Sequence, residues 1–133
     1  MSKFKLKIIT PKGVYQEVEG NQLNLRSTGG QIGILAHHIP LATGVEISMM
    51  SYIIDNQRYE FAVGNGFIYV NDNETKLIVD SIESKEEIDL NRAKEAKARA
   101  EERIHHPTEH TDLMRAEIAL KKAINRIRVK ELN

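Results

Sequence analysis

Glycine and aromatic residues stop partway along this chain. All eight glycines lie between Gly13 and Gly66, and all seven aromatics lie between Phe4 and Tyr69. The remaining stretch has neither, so it lacks the usual residues for tight turns and the large rings that fill a sheet core. Charge changes with it: 22 of the last 49 residues are charged, against 16 of the first 84. Glycine with aromatic and β-branched residues favours strands and turns. Alanine with glutamate, lysine and arginine favours helix. The composition therefore predicts a β domain over residues 1–84 and a helical domain over residues 85–133, with the boundary near Ser84.

Several function classes are disfavoured at this level. The chain has no cysteine, so disulfides and thiolate metal sites are out. Lys and Arg number 19 and so do Asp and Glu, which leaves no charge bias toward nucleic acid. No apolar run approaches the roughly 20 residues that span a bilayer. The first ten residues alternate lysine with apolar residues and do not read as a signal peptide. The expectation is a soluble protein that meets a membrane only through a partner.

The first half reads as eight to ten short strands. Phe4, Leu6 and Ile8 alternate with Lys5 and Lys7, giving one buried and one wet face. Thr10-Pro11-Lys12-Gly13 makes a turn, with the proline preset for its second position. Leu23 and Leu25 alternate before Thr28-Gly29-Gly30; Ile32 to Leu35 is a short apolar run; Val45 and Ile47 alternate again. Two hairpins are expected, one around Asp55-Asn56-Gln57-Arg58 and one around Asn71-Asp72-Asn73-Glu74. This spacing points to an antiparallel sandwich or barrel, with two small separate sheets as the alternative.

The second half reads as a helical hairpin. Ser84 with Glu87 fits a capping box, and Asp89 is a competing N-cap. The first helix is expected over about 89–104, with an apolar stripe of Ala93, Ala96, Ala100 and Ile104. His105-His106-Pro107 ends it, because proline cannot continue a helix. Thr111 or Asp112 caps the second helix, whose seam is expected to be Leu113, Ala116, Leu120, Ala123 and Ile127. Alanine holds a helix well but has little side chain to bury, so its stripe docks more weakly than a leucine stripe. Two readings stay open: a fixed appendage, or a pair of helices able to change partners.

Three stretches carry a resemblance. They are Gly30-Gln31-Ile32-Gly33-Ile34-Leu35 followed by His37-His38-Ile39-Pro40-Leu41; Ala62 to Val70, which contains Gly64-Asn65-Gly66-Phe67; and Glu87-Ile88-Asp89-Leu90-Asn91-Arg92-Ala93. In this order, over the whole length, the chain resembles the epsilon subunits of bacterial F-type ATP synthases. The resemblance implies a ten-stranded antiparallel β-sandwich followed by a two-helix antiparallel hairpin. It implies a non-catalytic subunit of the central stalk, with the gamma subunit and the c ring as partners of the sandwich. The helices would extend toward the alpha and beta subunits and brake ATP hydrolysis. The location implied is the cytoplasmic face of the bacterial cell membrane, as a peripheral protein. A free-standing ATP-sensing helical hairpin on a sandwich is the alternative.

In some bacterial members of that family the folded helices bind ATP through Ile-Asp-x-x-Arg-Ala. Here that motif is Ile88, Asp89, Arg92 and Ala93, with Arg99 and Arg126 as further phosphate ligands and Glu83 as the remaining match. ATP would be a regulatory ligand, with no obligatory cofactor. Set against this, Asp89 serves equally as a plain N-cap and the arginines as a solvated face. Gln31 and His38 match positions used against the c ring and gamma. The sequence departs from the family where Gln31 replaces an acidic residue and Ala36-His37 replaces a Pro-Gly pair. Asn65 replaces the first glycine of a Gly-Gly-Phe, a mild change because asparagine tolerates left-handed backbone better than most residues. No catalytic constellation stands out. His37, His38, His105, His106 and His110 lack the companions and spacing of a metal site. The basic residues of the second helix, Arg115, Lys121, Lys122, Arg126, Arg128 and Lys130, form either a solvated face or a surface for an acidic partner.

Overall fold

The computed structural model describes residues 2–132. Contacts divide the chain into two compact units, residues 1–84 and 85–133.

The first unit holds ten strands: β1 Phe4–Thr10, β2 Gly13–Gly20, β3 Gln22–Ser27, β4 Gly30–Leu35, β5 Leu41–Val45, β6 Ser48–Ile54, β7 Gln57–Val63, β8 Gly66–Asn71, β9 Glu74–Val79 and β10 Ile82–Ser84. They run in the order β10-β7-β6-β3-β5-β8-β9-β1-β2, and β4 pairs with β3 outside that path. The expected sandwich is present. The alternative of two separate sheets is not. One pairing departs from the antiparallel expectation: β1 and β9 run parallel, from Lys5 opposite Glu74 to Ile9 opposite Ile78. Strands joined by a tight turn must be antiparallel, but these are separated by most of the domain and are free of that constraint.

The period-two pattern fills one core. Phe4, Leu6 and Ile8 are buried, as are Leu23 and Leu25, Ile68 and Val70, and Leu77 and Val79. Each fully buried aliphatic side chain contributes roughly 1.5–3 kcal/mol relative to exposure. The β6–β7 turn places Asp55 at φ 50° and Asn56 at φ 69°; the β8–β9 turn places Asp72 at φ 50° and Asn73 at φ 60°. Two positive φ values in a two-residue loop are the turn whose twist matches that of its strands, and Asn and Asp tolerate it. Ile47 falls between β5 and β6 rather than continuing a strand with Val45. Asn65 does not adopt a positive φ, so its tolerance of left-handed backbone is not what allows it there. Its carbonyl accepts the N–H of Asp80 at 2.9 Å. Gly66 is required for a different reason: a Cβ there would lie 1.9 Å from the Ile78 carbonyl oxygen.

The second unit is a helical pair, α1 Leu90–His105 and α2 Leu113–Glu131. Asp89 is the N-cap of α1, in preference to Ser84, and accepts the N–H of Arg92; Asp112, rather than Thr111, caps α2 and accepts the N–H of Arg115. Each satisfies one of the orphan donors of a first turn. The helices are antiparallel. Lys130 Nζ, near the end of α2, donates to the Lys85 carbonyl at 2.9 Å, and Lys85 Nζ donates to the Leu132 carbonyl. The buried residues are Ala93 and Ala100 on α1 and Ala116, Ala123 and Val129 on α2. The expected seam of α2 is corrected at its ends. Leu113 is 47% exposed, while Val129 is fully buried. At about 100° per residue Val129 lies about 120° around α2 from Ala123, so its burial belongs to a different side of the helix from the predicted stripe.

Candidate functional site

The positions singled out by sequence fall in three places. Ile88, Asp89, Arg92, Ala93 and Arg99 lie at or near the start of α1. Ile88 and Ala93 are buried, which takes their side chains out of any direct polar role. Arg92 and Arg99 are exposed and seven residues apart, so they share one face about 10 Å apart. Asp89 Oδ1 is engaged by the Arg92 N–H at 3.1 Å, so the capping role is real whatever else the carboxylate does. Arg126 is half-buried on α2, one turn before the Lys130 that bonds to Lys85. The antiparallel pairing therefore places Arg126, on the last two turns of α2, at the end of the pair where α1 begins. Glu83 belongs to the other unit, on β10, opposite Ala62 of β7.

Arg92 and Arg126 stand toward the end of the helical pair where α1 begins, and guanidinium groups are suited to hold an anion. Arginine offers a planar fork that bonds phosphate oxygens in pairs.

Gln31 and His38 occupy the two ends of a different element. Gln31 is on β4 opposite Arg26, next to the β3–β4 turn. His38 lies beyond the far end of β4, where its N–H bonds to the Leu35 carbonyl at 3.2 Å and its Nδ1 sits 2.6 Å from the Ile39 carbonyl oxygen. A partner touching both must run along β4, since Gln31 to Leu35 alone covers about 13 Å of strand. His37 takes a left-handed φ of 64°.

Arg115 and Lys122, read from sequence as part of either a solvated face or a surface for an acidic partner, belong to one further feature. At the other end of the helical pair, Arg103, His110, Asp112, Arg115 and Lys122 line an open cleft of about 700 Å³. The seven-residue spacing of Arg115 and Lys122 was the available signal, because it puts both on one face of α2. Among the described residues no three His, Asp or Glu side chains group as metal ligands, and no helix is long and apolar enough to cross a membrane.

Two family models match this chain end to end: the ATP synthase delta/epsilon chain β-sandwich domain over residues 3–85, and the long α-helix domain of the same chain over residues 86–131. The chain belongs to the ATP synthase delta/epsilon chain family. Relatives of this delta/epsilon family member include the ATP synthase epsilon chain of Staphylococcus aureus strain Newman, 37% identical over 133 residues and covering 99% of both chains. The epsilon chain of Bacillus pumilus is 34% identical over 129 residues, covering 97% of this chain and 98% of that one. A chain of the Euglena gracilis mitochondrial ATP synthase OSCP/F1/c-ring assembly has the same fold, with a TM-score of 0.81 at 19% identity over 94% of this chain and 79% of that one. A chain of the Tetrahymena thermophila mitochondrial ATP synthase central stalk and c ring gives 0.56 at 14% identity, over 97% and 94%. As a delta/epsilon family member the chain is an accessory subunit and not a catalyst.

Proposed function

We propose that the chain is the epsilon subunit in the central stalk of a bacterial F-type ATP synthase, and that its helical pair brakes ATP hydrolysis and senses ATP. The sandwich meets gamma and the c ring, and the helices meet alpha and beta when they extend. The protein sits peripherally on the cytoplasmic face of the membrane, held there by the complex. The observation that carries the regulatory part is the alanine lining of the helical pair. Ala93, Ala100, Ala116 and Ala123 are all buried. Four alanine methyl groups at about 0.8 kcal/mol each, with the buried Val129 at about 1.5–3 kcal/mol, contribute roughly 5–6 kcal/mol, below what five leucines would give. Such a pair keeps its helices when it separates and loses little on leaving its docked state.

ATP would act by favouring the docked pair, because Arg126 comes from α2 while Asp89 and Arg92 come from α1. A ligand that binds one of two states shifts the balance toward it. Calorimetry of the isolated chain with ATP is the direct test. Binding is expected, and Arg92→Ala should weaken it by about tenfold or more; no heat at millimolar ATP would remove the sensing role. For the brake, a complex assembled with residues 1–88 should hydrolyse ATP faster than one with the full chain, and equal rates would refute it. Purification of the tagged chain from cells should bring down alpha, beta and gamma.

A further inference from the structure

The helical pair is joined at one end only, through residues 106–112 between α1 and α2. A hairpin parts at the end its loop does not hold. At that open end two lysines cross in opposite directions. Lys130 Nζ, in the last turn of α2, donates to the Lys85 carbonyl at 2.9 Å, and Lys85 Nζ, ahead of α1, donates to the Leu132 carbonyl just past α2. A basic residue in a last turn ordinarily answers the orphan carbonyls and the dipole of its own helix. Arg128, in the same turn, is exposed and fits that description. Lys130 does not: the carbonyl it bonds lies 45 residues earlier, on the segment that leads into the other helix.

Position gives these bonds their weight. The helices bury alanine at Ala93, Ala100, Ala116 and Ala123, and the one larger buried side chain of α2, Val129, is next to Lys130 at the open end. Ile88, between Lys85 and α1, is 3% exposed. Hydrogen bonds from an ammonium group are roughly twice as strong as neutral ones. Two of them at the end that must open first therefore weigh heavily against a thin seam.

We propose that Lys85 and Lys130 form a latch across the open end of the helical pair, and that the latch sets how often the pair is closed. The proposal rests on the reading above that the helices part to brake hydrolysis and close to hold ATP. Arg126 lies one turn before Lys130, and Asp89 lies four residues after Lys85, so closing the latch brings to one end the groups assigned to the nucleotide. Neither lysine has to touch ATP. A ligand that binds only the closed pair has its apparent affinity reduced in proportion to the closed fraction. Both lysines are positioning residues in this sense.

The chain has no cysteine. Glu95→Cys on α1 and Lys121→Cys on α2, both at exposed positions, therefore carry spin labels whose separation reports closed and open pairs in the full chain. Lys130→Met keeps an unbranched side chain and good helix propensity but removes the ammonium. It should raise the open-to-closed ratio about tenfold, and Lys85→Met should act in the same direction. Lys130→Arg, which still donates, should stay within about threefold of wild type. Apparent ATP affinity should fall in step with the closed fraction, and saturating ATP should close both methionine variants again. In the ATP synthase complex, Lys85→Met leaves the basic face of α2 intact and should slow ATP hydrolysis relative to wild type. Wild-type chains that open, with both methionine variants opening no more, overturn the latch. So does a fall in helical content by circular dichroism without a rise in the open population. A pair that stays closed in the wild type and in the Lys85→Met, Lys130→Met double variant overturns the movable-helix reading beneath it. Opening that saturating ATP does not reverse overturns the link to the nucleotide.

Discussion

The side-chain oxygen of Asn73 accepts the backbone N–H of His37 at 2.7 Å. The same side chain donates through Nδ2 to the Lys3 carbonyl at 3.0 Å, and the Asn73 carbonyl accepts the N–H of Lys5 at 3.1 Å. One turn residue thus ties the β8–β9 hairpin to the N-terminal segment and to the loop after β4. Asn73→Ala removes both side-chain bonds and places alanine at a φ of 60°. A loss of about 2–3 kcal/mol in denaturant unfolding is expected, with faster exchange of the His37 amide.

His37 itself holds a left-handed backbone that suits glycine better. His37→Val should destabilise by about 1–2 kcal/mol, because a β-branched residue is poorly tolerated there. His37→Gly should be close to neutral, since relief of strain is offset by greater freedom of the unfolded chain. Paired denaturation curves check the difference.

Thr75 is fully buried on β9, and its hydroxyl has no hydrogen-bond partner. An unsatisfied buried hydroxyl costs about 1–3 kcal/mol. Thr75→Val keeps the shape and removes that group, so it should raise stability by about 1 kcal/mol. A thermal scan showing a lower Tm would contradict this.

Burial raises the pKa of the Tyr52 hydroxyl, and the neighbouring Tyr59 adds to the shift, while the bond to Gln16 opposes it. That bond runs from Tyr52 Oη to Gln16 Oε1 at 2.7 Å. The folded state therefore holds the phenol proton more tightly than the unfolded one. The resulting stability is fully present below the ordinary tyrosine value of 10.0 and is lost as pH rises through the raised one. Unfolding curves taken at alkaline pH should show stability falling with pH, and Tyr52→Phe should flatten that slope.

Asp89 caps α1 and is also the acidic residue of the proposed nucleotide site. Substitution can separate the two roles. Asp89→Ala should cost about 1 kcal/mol, while Asp89→Ser keeps a capping oxygen and should stay near wild type. If Asp89 also bonds the nucleotide, both variants bind ATP more weakly; if it only caps, the serine variant binds normally.

Much of this molecule was settled by local pattern. The alternation of Phe4, Leu6 and Ile8, the Asp55-Asn56 and Asp72-Asn73 turns, and the Asp89 and Asp112 caps each follow from a few adjacent residues, because period, turn geometry and capping are short-range effects. Tertiary structure decided what those rules cannot reach. The parallel pairing of β1 with β9, the open edge of β4 and the burial of Val129 depend on which distant elements become neighbours. The placement of Arg126 at the end of the pair where Asp89 caps α1 is of the same kind: only the antiparallel return of α2, pinned by Lys130 to Lys85, decides it.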